Sequence, residues 1–438
     1  MNASSGPAAG GARSYGSRNV VAGYLTVSIL FTLAASLIWA INTIFLIREG
    51  GLSIFQVMVV NAVFTVGQMA FEVPTGVIAD TIGRKASMLL CMVTLLVSTL
   101  LYVLTPKWGW GIWGFIGASV IIGLGFTFQT GAVDAWVVDA LDATGWTRPK
   151  EKVFAWGQMA SGGGMLVGSL LGGVFGQIGL SWPYVIRAAL LGVAAVAVLV
   201  LVRDVGFTPR PLRWSTFGAE SRRIMQAGVA FGWRSRVLRP LLWTSTVTGL
   251  FMLYGFYVWQ PYVLDLLGRN YVWLLGVVQA VFSLTGILGN LLVGRTMREG
   301  VRRREAARVL EGAAGVQALL VFAIAGVGLI FTRPGLLPAG LAIGLWLVFG
   351  FIFGLSTPIR MAYINEHIPS AERATVLSLD SFFGDAGGAV GQPALGWVSG
   401  RTSIPIGWLI GGVFMAAAPL LYARSATAAT TERESRPL

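Results

Sequence analysis

The chain has 438 residues, 55% of them hydrophobic and only 12% charged, with a mean hydropathy of +0.73. A water-soluble domain carries roughly a quarter charged residues, so this composition excludes an ordinary soluble fold and predicts an integral membrane protein. The net charge of +13 does not point to nucleic acid, because the 32 Lys and Arg residues lie in short clusters separated by apolar runs.

Residues 1–20, rich in Gly, Ala and Ser, contain no apolar run and are expected to form a disordered cytoplasmic tail, not a cleaved signal peptide. Windows of about 20 apolar residues then predict spans at 21–47, 54–78, 86–104, 111–133, 153–175 and 181–202. A linker follows at 203–239, and its RRIMQAGVAFGW stretch suits an amphipathic helix on the membrane surface. Six more spans are expected at 240–263, 271–294, 309–331, 338–360, 376–398 and 404–422, before a second cytoplasmic tail at 423–438. The expected fold class is an all-α integral membrane protein, with twelve transmembrane helices in two pseudo-symmetric six-helix bundles, 21–202 and 240–422. With both termini in the cytoplasm, 26 of the 32 basic residues fall in cytoplasmic segments and five in outside loops, as positive loops require. Arg greatly outnumbers Lys, which suggests a GC-rich bacterial genome and so a bacterial plasma (inner) membrane.

One cysteine, Cys91, and one histidine, His367, leave no basis for a disulfide, a zinc site or a Ser-His-Asp constellation. No phosphate-binding Gly-x-x-x-x-Gly-Lys-Ser/Thr loop is present either. No metal, cofactor, nucleic-acid partner or enzymatic activity is therefore expected.

Charges inside spans are costly, about 2.5–3.5 kcal/mol at a helix centre on insertion scales, and call for a role. Glu72, expected to be buried just before Pro74, is the first candidate for a proton-coupling acid, with a structural hydrogen bond to another span as the alternative. Asp380 is the second candidate, and Asp385 is also a candidate. Asp385 and Arg187 are left either as partners in packed ion pairs or as groups that bind a relay partner or substrate. The halves also repeat: GAVDAWVVDAL from Gly131 aligns with TPIRMAYINEHI from Thr357, matching Asp134 with Arg360. The glycines of span 5, Gly164, Gly168, Gly172 and Gly173, have counterparts in span 11 at Gly387, Gly391 and Gly396. Small residues every fourth position let membrane helices approach closely.

The run Gly76-x-x-x-Asp80-x-x-Gly83-Arg84-Lys85 resembles the signature between the second and third spans of the major facilitator superfamily, with Thr81 in place of the family's Arg. The span-5 string resembles that family's antiporter motif, with Ser169 in place of its Pro; plain helix packing is the other reading. FEVPTGVIADTIGRK, GAVDAWVVDAL and the stretch from His367 to Pro393 look like the twelve-span branch that exports tetracyclines or macrolides. The resemblance implies a cytoplasmic gate, with Arg84 paired to Asp134, Asp80 facing the helix that begins near Ala374, and Arg360 as the second-half counterpart of Asp134. It also implies that spans 1, 4, 7 and 10 line the cavity, which makes Trp39, Asn42, Phe126, Gln129, Tyr254, Tyr257, Trp346 and Phe349 pocket candidates. The expected activity is export of small amphipathic compounds in exchange for protons by a monomer in the lipid bilayer. Uptake of a metabolite, or a non-transporting sensor or scaffold of the same fold, are the alternatives.

Overall fold

The computed structural model describes residues 15–434, except 130, 210–232, 269, 297–302 and 369–371, and among these it is helical with no strand. The amphipathic helix expected in the linker falls almost wholly in 210–232, outside the described residues.

The helices are α1 (Ser17–Trp39), α2 (Asn42–Arg48), α3 (Ile54–Ile82), α4 (Arg84–Trp108), α5 (Gly111–Gln129), α6 (Ala132–Ala143), α7 (Glu151–Ile178) and α8 (Trp182–Leu201). After the linker come α9 (Leu238–Leu267), α10 (Val272–Thr296), α11 (Arg303–Ile330), α12 (Leu336–Glu366), α13 (Arg373–Arg401), α14 (Ile404–Met415) and α15 (Ala417–Glu434). Among the described residues, eleven helical stretches are long and apolar enough to cross a membrane. The 29-residue α13 has the length but is not among them; it carries Asp380, Asp385 and six glycines.

Several boundaries differ from those expected. Helix α1 begins at Ser17, inside the segment assigned to the tail, and Tyr15 before it is buried. The first span is not continuous: the helix breaks at Ala40–Ile41 and restarts as α2. Its restart frees a backbone donor, and the Thr43 N–H is satisfied by Gln260 Oε1 at 3.0 Å, while Thr43 Oγ1 donates to the Tyr257 carbonyl at 2.8 Å. The second span runs on through Pro74 to Ile82, so Asp80 is helical and the expected loop shrinks to Gly83.

Two compact units emerge: one of residues 1–40 and 67–213, the other of 41–66 and 214–438. They do not coincide with the two expected bundles, since α2 and the first half of α3 group with the second unit. Inside that unit a row of buried, uncharged polar side chains ties residues 41–66 to α9 and α13. Gln260 reaches Thr43, Gln392 Nε2 reaches Thr65 Oγ1 at 3.4 Å, and Asn42 Nδ2 donates to Asn61 Oδ1 at 3.4 Å.

In the first unit, α7 lies on α1 and the glycine string faces it. A methyl group at Gly172 would strike the Leu37 carbonyl, and one at Gly168 the Ser36 hydroxyl. In the second unit, α13 lies on α9 in the same way, with Gly387 against the Thr246 carbonyl and Gly391 against that of Leu250. Each half thus repeats the same close helix pair, the arrangement that small residues make possible in lipid.

Candidate functional site

The signature residues sit in the first unit, where α3 turns into α4. Gly83 has φ +106°, a conformation that favours glycine, and the carboxylate of Asp204 occupies the space a side chain would need. Asp204 Oδ1 accepts the Lys85 backbone N–H at 2.9 Å, which places a negative charge at the N-terminus of α4, where the helix dipole favours it. Lys85 Nζ reaches across to the Leu199 carbonyl at 2.7 Å, near the C-terminal end of α8. The turn is thereby clamped onto the chain leaving α8.

That exit segment is held from two further directions. Trp136 Nε1 donates to the Arg203 carbonyl at 2.8 Å, and the Tyr15 hydroxyl donates to the Leu201 carbonyl. The Arg203 guanidinium lies 5.2 Å from the centre of the Tyr15 ring. Burial pushes the Tyr15 phenol above its ordinary value, while the nearby Arg203 acts in the opposite direction.

The expected gate pairing is not made. Arg84 pairs with Asp80 at 2.7 Å, one helical turn away, and lies over the Phe207 ring at 5.8 Å. The continuation of α3 to Ile82 explains this, because it carries Asp80 to an i, i+4 position facing Arg84. Within this unit Asp80 is therefore the ion-pair partner of Arg84. Asp134, in the first turn of α6, is exposed and hydrogen-bonded by the Tyr24 hydroxyl. Gly131, with φ +73°, starts that helix afresh and gives the carboxylate an N-terminal position. Gly76 is exposed on α3 with open space around it.

Glu72 was expected to be buried and is exposed instead, on the same face of α3 as Val73 and Gly76. Its side chain makes no ion pair among the described residues. The neighbouring Thr75 turns the other way, donating to the Thr127 carbonyl at 3.1 Å.

Asp380 is the enclosed acid of the second unit, only 8% exposed. Arg360 from α12 grips both its oxygens, Nη1 to Oδ2 at 2.6 Å and Nη2 to Oδ1 at 2.8 Å. Ser245 from α9 donates to Oδ1 at 2.6 Å, and the Tyr422 side chain from α15 hydrogen-bonds Arg360. Three helices, α9, α12 and α13, therefore meet on one carboxylate, and α15 holds its arginine partner. Arg360, expected to act as a gate counterpart of Asp134, is instead the partner of Asp380. Asp385, partly buried on α13, also has an interaction partner.

The aromatic pocket candidates divide. Tyr254, Trp346 and Phe349 are core side chains: Trp346 stacks on Phe349 at 5.1 Å and on Phe282 at 4.9 Å, and Tyr254 hydrogen-bonds Ser399 at 2.6 Å. These are satisfied and closed in, as the packing of large aromatics favours. Trp39, Phe126, Gln129 and Tyr257 remain partly exposed, with Phe126 edge-on to Phe31 at 5.8 Å. The break after α1 places Trp39 and Asn42 in different helices, and Asn42 is buried. The residues missed at the sequence level are Asp204, Phe207 and Ser245. Only Asp204 left a signal, as a lone acid just beyond the sixth span.

Residues 24–392 match the model of the Major Facilitator Superfamily. The chain belongs to this family. As a member of the superfamily it is a transporter-type, multi-pass membrane protein. It is 32% identical over 151 residues to the Tetracycline resistance protein, class E, of Escherichia coli, a match covering 33% of this chain and 34% of that protein. It is 23% identical over 228 residues to the Cis,cis-muconate transport protein of Acinetobacter baylyi, covering 50% of this chain and 52% of that one. The matches thus span about a third and a half of these relatives. Among solved structures, the nucleoside transporter NupG superposes with a TM-score of 0.75 at 13% identity, covering 93% of this chain and 99% of that one. A POT family transporter bound to 5-aminolevulinic acid gives a TM-score of 0.70 at 14% identity, covering 97% of each. At such identities the structural likeness shows the superfamily fold alone.

Proposed function

We propose that this major facilitator protein exports small amphipathic compounds in exchange for protons by alternating access. In this reading it works as a monomer in a bacterial plasma membrane, with both termini cytoplasmic and no enzymatic activity. The Arg360–Asp380 pair carries the proposal. A carboxylate gripped at both oxygens can accept a proton only by releasing its partner, and that release frees Arg360 and Ser245, which belong to two other helices. Proton binding then favours one packing of these helices over another, which is the differential interaction that shifts a conformational equilibrium. Glu72 is the second proton site in this scheme, ranked below Asp380 because it is exposed. The stretch of identity with a tetracycline resistance protein and the glycine-sealed α1–α7 pair support export.

The test uses inside-out vesicles acidified by respiration. Tetracyclines, macrolides or cationic dyes are expected to collapse the pH gradient only when the protein is present. No collapse by any of them, with the protein shown to be inserted, removes the export reading. A second reading, proton-coupled uptake of a small carboxylate, is favoured by the muconate transport relative. It predicts accumulation of cis,cis-muconate by intact cells and no drug-dependent collapse in vesicles.

A further inference from the structure

Arg187 is a fully buried charged group of the first unit that neither the proton scheme nor the signature turn uses. It lies on α8, about one and a half turns from the N-terminus, and is only 1% exposed. Its Nε donates to Thr99 Oγ1 of α4 at 3.1 Å and its Nη1 to the Ala35 carbonyl of α1 at 3.4 Å. Nη2 is buried and has no hydrogen-bond partner. Among the described residues no carboxylate pairs with it. The groups whose charges bear on it are the side chains of Tyr184, Tyr102 and Cys91, all ordinarily neutral near pH 7.

An arginine in this position is incomplete. A guanidinium has five N–H donors, and the two hydrogen bonds here are both to neutral oxygens. A buried charge is tolerated when paired and hydrogen-bonded, and an uncompensated one inside a bilayer is costly. The fork of donors matches a carboxylate or a small inorganic anion.

We propose that Arg187 is an anion-binding residue, taking one singly charged small anion between α1, α4 and α8. The charge has two possible sources, an inorganic anion such as chloride or the carboxylate of a transported compound. The site is independent of the direction of transport and of the Arg360–Asp380 pair.

The full-length protein, purified in detergent, is melted at constant ionic strength while gluconate is replaced stepwise by chloride in one series and by benzoate in another. The wild type is expected to gain a saturable rise in melting temperature in at least one series. R187Q is expected to lose that anion-dependent rise whatever its baseline stability. R187K, which keeps the charge but loses the fork, is expected to need at least about tenfold more anion, and it serves alone if R187Q does not fold. Saturation by chloride assigns an inorganic ion, and saturation by benzoate alone assigns a carboxylate ligand. No saturable rise in either series, or an equal rise in R187Q, overturns the site and leaves Arg187 as a packing residue.

Discussion

At Asp380 the charge and the shape of one side chain can be separated. Asp380→Asn keeps the volume but leaves the partly buried Arg360 beside a neutral amide, and breaking a fully buried pair from one side typically costs about 3–5 kcal/mol, an upper bound here. A lower melting temperature and loss of proton-coupled transport are expected. The double change Asp380→Asn with Arg360→Gln should recover much of the stability and none of the coupling. Recovery of both would make the pair purely structural. Glu72→Gln should behave differently, because an exposed side chain away from packed features changes stability within about 0.5 kcal/mol. Normal thermal stability with reduced drug-driven proton flux is the expected outcome; unchanged flux would take Glu72 out of the scheme. These two acids also show where sequence reading ends. That both lie in apolar spans could be read directly, but which one is enclosed depends on neighbours that no spacing encodes. Arg360 and Asp380 are twenty positions apart on separate helices, and Ser245 is more than a hundred positions from either.

At the scale of helices, the glycine strings were the most legible feature, since their spacing states which face must be smooth before any partner is known. The structure supplies the partner, the backbone of α1 for α7 and of α9 for α13. Gly172→Ala would push a methyl into the Leu37 carbonyl and should cost about 1–3 kcal/mol, the range for overpacking. Gly163→Ala on the same helix meets open space and should be neutral or stabilising by up to about 1 kcal/mol. Equal effects in thermal denaturation would argue against close α1–α7 packing. Helix interruptions were not legible. The break at Ala40–Ile41 contains neither Gly nor Pro, and what sustains it is the Gln260 side chain capping a freed amide from far along the chain. Conversely Pro74, which a sequence reader takes for a weak point, lies within an unbroken helix. Membrane helices accommodate such prolines because neighbouring groups take up the orphaned carbonyls.

For the molecule as a whole, length and hydropathy mark eleven of the twelve expected crossings among the described residues, α13 being the exception, and the distribution of Arg and Lys proposes their direction. A C-terminal green fluorescent protein fusion should fluoresce, whereas alkaline phosphatase at the same place should be inactive. The opposite result would invert the orientation and, with it, the side on which the Gly83 turn lies. The division into units was not legible, because residues 41–66 belong by sequence to one repeat and by packing to the other unit. That exchange rests on uncharged side chains such as Thr43, Thr65 and Gln392, whose partners lie more than two hundred positions away.

The polarity of α13 bears on how the protein is made. A segment holding two aspartates and six glycines is a poor candidate to leave the translocon on its own. Two partners precede it in the chain: α12 carries Arg360, and α9 carries the backbone against which the α13 glycines pack. Arg360→Gln should therefore lower the fraction of newly made chains in which α13 crosses, read by a glycosylation acceptor placed after Thr402 in a microsomal translation assay. Unaltered insertion would mean that α13 is admitted without its counter-charge. On this view the ion pair is first an assembly signal, consulted once at birth, and only afterwards a working part.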